Sequence, residues 1–279
     1  MTCITALLHR ALIRVVGPDW AAFLKGLCTA DIDTLQVDSA EGRFHSLHYG
    51  AFLRPQGKMI CDCILQAAAP DEIWLDVPLA ERDDLVAKLT MYRLRARVAI
   101  DKLDNPVFVA FGGDPASGFS PDPRGAIIAE AFGMAYTPKT PNTEVNQWLE
   151  FRFRHGISDP GFDYAREELY PIDANLDLLG GIDFHKGCFI GQELTSRMKR
   201  RGQIKNRVLP MRYDHAAPGP GAEILSAERR AGNVLRAAEG YALALMRIDR
   251  LDGDLTCDGA RVALALPAWL RTAVATSVI

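Results

Sequence analysis

Residues 186–193, Lys186-Gly187-Cys188-Phe189-Ile190-Gly191-Gln192-Glu193, set one cysteine between a glycine-rich turn and what reads as a helix start. A cysteine acts as a nucleophile or metal ligand only as the thiolate, which a helix N-terminus or a neighbouring cation stabilises. Cys188 has both kinds of neighbour. His185 and Lys186 precede it, and Leu194 and Met198, four residues apart, mark one face of a helix opening at Gly191. Glu193 then falls in the first turn, where the helix dipole favours a negative charge. The rival reading of Cys188 is a buried small hydrophobe, the common fate of a free cysteine.

The elements that must position this stretch follow from pattern. Residues 11–16 read as a strand, broken by Gly17-Pro18-Asp19, and Pro18 opens a helix with Trp20, Phe23, Leu24 and Leu27 on one face. A polar segment, 29–42, leads to strands at 44–53 and 59–65, joined as a hairpin by Arg54-Pro55-Gln56-Gly57-Lys58. A strand at 73–77, a helix at 79–95 and strands at 97–103 and 107–111 complete an antiparallel sheet with helices on one face. Glycine and proline crowd residues 112–125. Residues 134–141 read as a loop, and 143–155 as a helix with Thr143 as its cap. From 208 onward short strands alternate with turn signals such as Pro218-Gly219-Pro220-Gly221 and Glu239-Gly240, the pattern of a small barrel.

Composition narrows the classes. The chain has 279 residues, is nearly half hydrophobic and carries a net charge of −3, so no global field recruits nucleic acid. It contains no apolar run of about 18 residues that would span a membrane, and the N-terminal leucines are interrupted by Arg10 and Arg14 in a way unlike a secretory signal. The six cysteines include no Cys-x-x-Cys pair, so no zinc or other resident metal site is expected. Reduced thiols point to a cytoplasmic chain.

The string Lys186–Glu193, flanked by Glu168-Leu169-Tyr170-Pro171, Gly180-Gly181-Ile182-Asp183-Phe184 and Leu194-Thr195-Ser196-Arg197, resembles the signature of the YgfZ family. These are folate-binding proteins needed for certain iron–sulfur enzymes, and the detail is similar above all to the family's mitochondrial iron–sulfur assembly branch. The resemblance implies an α+β fold like that of the glycine cleavage T-protein, an aminomethyltransferase: a body of antiparallel sheets with packed helices and a C-terminal β-barrel. It divides the chain into a folate-binding subdomain at 1–112, a second subdomain carrying the motif at 113–205, and the barrel at 206–279. It further implies tetrahydrofolate in a central channel and iron–sulfur client enzymes or assembly proteins as partners. On the same ground Cys188 is the reactive group, with Lys186 beside it and Gly187, Gly191, Gln192 and Glu193 shaping the site. Whether the chain turns over a substrate stays open: a folate-dependent aminomethyl- or methyltransferase and a non-catalytic adaptor are the alternatives.

Two further stretches carry candidates. Gly57-Lys58-Met59-Ile60-Cys61-Asp62-Cys63 lies where the aminomethyltransferases have a carboxylate beside the folate, and Asp62 is the acid this chain retains there. Its bland reading is a solvated strand residue, facing away from Cys61 and Cys63. Arg197, Lys199, Arg200, Arg201, Lys205 and Arg207 fall within eleven residues that include no acid. They suit a solvated helix end, a site for the carboxylates of a folate tail, with Arg197 and Arg200 as its binders, or, least, nucleic-acid phosphates.

Overall fold

In the computed structural model residues 1–44, 46–115, 117–201 and 204–275 are described. The chain runs through β1 (Cys3–Ala6), β2 (Arg10–Val16), α1 (Trp20–Lys25), α2 (Ile32–Ala40), β3 (Leu47–Leu53), β4 (Met59–Ala69) and β5 (Glu72–Pro78). It continues with α3 (Arg82–Arg93), β6 (Ala99–Leu103), β7 (Phe108–Phe111), β8 (Ser120–Pro121), α4 (Arg124–Ile128), β9 (Phe132–Ala135), α5 (Val145–His155) and α6 (Gln192–Arg201). Then come β10 (Asn206–Arg212), β11 (Glu223–Ser226), β12 (Arg229–Ala238), β13 (Tyr241–Arg247), β14 (Leu255–Cys257), β15 (Ala260–Leu264) and α7 (Ala268–Ala275).

Three sheets result: five strands in the order β3-β4-β5-β2-β6, four in the order β1-β7-β9-β8, and a closed six-stranded barrel of β10-β13-β12-β11-β14-β15. Side chains alternate along a strand, and this decides the layers. On β2, β4 and β5 the residues Ile13, Val15, Cys61, Cys63, Leu65, Ile73 and Leu75 turn to one face, where they pack on Trp20, Leu24, Leu35, Leu85 and Leu89 of α1, α2 and α3. Their neighbours Leu12 and Ile64 turn to the other face and join a second core with Val109 and Phe132 of the four-stranded sheet and Trp148 and Phe153 of α5. Polar residues on that second face, Arg10, Asp62 and Asp76, are therefore enclosed between layers.

The structure departs from the sequence pattern in a few places. The polar segment 29–42 contains α2, whose N-terminus is capped by Asp31 accepting from the Thr34 N–H at 2.9 Å. Its apolar face rests on little more than Ile32 and Leu35, too few for a period to show. Strand β9 runs on to Ala135, into the start of the segment 134–141 read as a loop, and α5 begins after Glu144, with Thr143 bonding the Gln147 side chain instead of capping. Helix α7 follows Pro267 beyond the strands that the sequence pattern assigns; its Leu270 and Val274 pack against the barrel core. The boundary drawn at 112 runs through a sheet, since β1 and β7 pair within one layer with β9 and β8.

Buried charge pairs tie α5 to the loop that follows it. Arg152 on α5 meets Asp163 through two bonds of 2.7 and 3.1 Å, and Asp163 also accepts from the Asp159 N–H at 2.7 Å. Removing one partner of such a pair leaves an uncompensated charge in the interior. The Asp163→Ala variant is expected to lose about 3–5 kcal/mol of stability, read as a lower urea midpoint.

Candidate functional site

The motif loop is laid across the segment joining α1 to α2. The Asp183 N–H donates to Thr29 O at 2.9 Å and the Ile190 N–H to Gly26 O at 3.1 Å. Between them, Asp183 Oδ1 accepts from the N–H groups of His185 and Lys186, which turns the chain tightly. Lys186 and Phe189 point inward and are buried, with the ammonium 5.4 Å from the ring centroid; Gly187 and Cys188 point outward and are exposed. Gly191 stands at φ +84°, and a Cβ there would come 2.8 Å from Arg54 O, so the close approach to the β3–β4 turn requires glycine. Helix α6 starts at the next residue, with Glu193 in its first turn.

Cys188 thus lines an open cleft of about 940 Å³, whose walls include Gly191, Gln192, Glu193, Arg197 and Arg200 together with Pro55 and Tyr92. The cleft gathers most of the residues singled out in the sequence. Gly187 is not among its walls, and a Cβ added there would meet nothing within 4 Å. Of the other five described cysteines, Cys3 is half-buried and Cys28, Cys61, Cys63 and Cys257 are buried.

Three assignments change. Lys186 does not stand over the Cys188 sulfur: its Nζ donates to Cys28 O at 2.6 Å and to Ala30 O at 2.8 Å, inside the protein. The basic run is not one patch. Lys199 and Arg207 both bind Asp177, at 2.9 and 2.6 Å, and Arg197 pairs with Glu193 one turn back. Arg200 remains exposed at the cleft and forms no ion pair with a described residue, while the Arg201 side chain lies outside the described residues. Asp62 is far from solvated, and it belongs to a different place.

Asp62 is one of three carboxylates around Arg10. Arg10 Nη1 donates to Asp62 Oδ1 at 2.8 Å and to Asp159 Oδ1 at 3.0 Å, Nε donates to Asp76 Oδ1 at 2.7 Å, and Nη2 to Asp76 O at 3.0 Å. His9 Nε2 reaches the second oxygen of Asp159 at 2.8 Å. Burial pushes Asp62 up to about 6, with Arg10 pulling against it and Asp159 adding to the rise. Burial also raises Asp76; against burial, Arg10 and His9 hold Asp159 well below the usual carboxylate range. Arg10, Asp76 and Asp159 were not singled out in the sequence. The signal was there for two of them, since a charge at an inward position of an apolar strand needs a buried partner.

The fold of the T-protein implies tetrahydrofolate near this point, and the residues do not fit it. The cavity bordered by Arg10, Asp62, Ile64, Met134 and Trp148 measures about 20 Å³, room for one water and not for a bicyclic ring. A larger cavity of about 300 Å³, with Trp74, Tyr136, Gln66 and Lys139 in its wall, shares only Met134 with it and is not lined by Asp62. The carboxylate that transfer chemistry needs is bonded to Arg10 and borders a cavity too small for the ring.

By fold, the chain is of the aminomethyltransferase T kind: the glycine cleavage aminomethyltransferase T of Bartonella henselae superposes with a TM-score of 0.70 at 15% identity, over 94% of this chain and 84% of that one. Residues 205–272 match the family described as CAF17, C-terminal beta-barrel domain. In sequence the chain is similar to mitochondrial iron–sulfur cluster assembly factors named IBA57. It is 32% identical to the homologue of Pyricularia oryzae over 240 residues, which cover 77% of this chain and 59% of that protein. With human IBA57 it shares 29% identity over 94% of this chain and 84% of the relative. Of the first three fungal relatives the chain spans only 58–59% of the length. These similarities align it with IBA57-type, CAF17-like proteins rather than specifically with the bacterial YgfZ branch. They also correct the cytoplasmic expectation, because the relatives are named as mitochondrial proteins. Reduced thiols suit either compartment, so they did not separate the two.

Two outcomes follow from the geometry. Brief treatment with iodoacetamide is expected to label Cys188 first among the cysteines, by peptide mass spectrometry, with Cys28, Cys61, Cys63 and Cys257 protected until the protein unfolds. Asp62→Asn is expected to lower the urea midpoint, because it takes one charged partner from the buried Arg10 guanidinium.

Proposed function

We propose that this chain serves the assembly or repair of iron–sulfur clusters, with Cys188 as the side chain that engages a cluster on its way to a client protein. The observation that carries the reading is the placement of Cys188: an exposed thiol in the wall of an open cleft, on a loop anchored from beneath. The names of the relatives support the same role. Iron in such clusters is held by thiolates, about four in all for a resident cluster. Among the described residues no group of three or more cysteine, histidine or acidic side chains is arranged to hold a metal. One exposed thiol therefore suits a cluster in passage, its remaining bonds made by the donor or the client. Arg200 in the same cleft offers charge to an anionic cluster or to acidic residues of the protein that brings it.

Transfer of a one-carbon unit is not part of this proposal. General acid–base help would have to come from Asp62, which is locked on Arg10 in the interior.

The test uses cells lacking their own IBA57- or YgfZ-type protein, supplied with this chain either unaltered or as Cys188→Ala. Activity of a cluster-dependent enzyme is expected to return with the unaltered chain and to stay at background with the variant, both being equally abundant. Equal rescue by both would remove Cys188 from the function.

A further inference from the structure

Leu94 is strained, and no contact inside the protein explains it. It follows the last residue of α3 with φ +42° and ψ −104°, a backbone conformation that suits glycine and is unfavourable for a residue with a Cβ. Its side chain gains no packing from this, being 87% exposed, and Met91 in the last turn of the helix is 63% exposed. A single apolar side chain in water is ordinary. Two of them on consecutive turns, one held out by a strained backbone, mark a surface shaped for a contact.

The charge around them has one sign. Residues 85–100 contain no acid, and the two acids at the start of the helix, Asp83 and Asp84, are bound to Lys102 and Arg166. Arg97 pairs with Asp19, whereas Arg93 and Arg95, on either side of Leu94, are exposed and form no ion pair with a described residue. The helix dipole accounts for a cation in the last turn, as at Arg93, but not for Arg95 beyond it. This end of α3 runs into the Cys188 cleft. Tyr92, between Met91 and Arg93, stands in the cleft wall with Arg200, and it lines a second, small hollow together with Ile190 of the motif.

We infer that residues 91–95 at the end of α3 are the docking surface for the protein that brings the cluster, and that this partner presents acidic residues around an apolar centre. The inference rests on the cluster role proposed above and adds the partner's footprint to it. Arg93, Arg95 and Arg200 supply the opposite charge that steers approach and fixes register. Met91 and Leu94 supply the apolar contact, which is why a side chain is kept at a position where glycine would be relaxed.

Calorimetric titration with a negatively charged carrier protein loaded with a [2Fe–2S] cluster tests it. All chains carry Cys188→Ala, so that the thiol contributes nothing to the affinity read. Adding Leu94→Gly is expected to weaken binding about fivefold or more, with a urea midpoint unchanged or higher because glycine relaxes the backbone. Adding Arg93→Glu and Arg95→Glu together is expected to weaken binding about tenfold or more and to flatten its dependence on salt. Unaltered affinity in either variant, a lower midpoint in Leu94→Gly, or no binding by the parent chain would overturn the inference. So would self-association of the parent chain that Leu94→Gly abolishes in sedimentation, since a second copy would then be the occupant. Equal rescue of cells by Cys188→Ala would remove the cluster reading without altering these affinities, and unaltered affinities would remove the docking surface without altering the rescue.

Discussion

The arrangement around Cys188 depends on a lysine folded the wrong way for a surface residue. Lys186 goes inward to two backbone carbonyls, and the adjacent Gly187 and Cys188 are thereby turned outward. Phe189 then returns to the core, and Gly191 brings the chain so close to Arg54 that α6 starts against the β3–β4 turn. A loop held at both ends and in its middle keeps a thiol at one place without burying it. Most cysteines that sit in sheets or barrels do the opposite, as Cys61, Cys63 and Cys257 do here.

The centre of the body shows how little a fold says about chemistry. The layers match those of an aminomethyltransferase, yet Arg10 draws carboxylates from β4, β5 and the loop after α5 onto one guanidinium. Such a cluster joins the layers and leaves room for a single water. An inward charge on each strand is enclosed in the way a packing core encloses leucines. The thiol proposed to handle clusters, Cys188, is exposed on a different loop.

Much of this was legible from the residues. The barrel strands follow local signals, with turns at Pro218–Gly221 and Glu239-Gly240 separating runs of β-branched and apolar residues, and β14 falls at 255–257 as the pattern indicates. The start of α6 and the turn before it were written in the motif itself. What could not be read was long-range pairing. Lys186 meets carbonyls 156 and 158 positions away, and Arg10 meets Asp159 across 149 positions. No spacing rule reaches that far, so a lysine beside a cysteine looked like its partner. The basic run misled for a similar reason: Asp177, upstream of the motif, neutralises Lys199 and Arg207 only once the chain is folded.

The most direct measurement is the rate at which a cluster passes through the protein. A purified carrier loaded with a [2Fe–2S] cluster is mixed with an apo client, and visible circular dichroism follows arrival of the cluster at the client. With the unaltered chain present, arrival is expected to be faster than in its absence, and Cys188→Ser is expected to return the rate to that of the mixture without it. Acceleration by Cys188→Ser equal to that of the unaltered chain would contradict a role for this thiol in cluster handling.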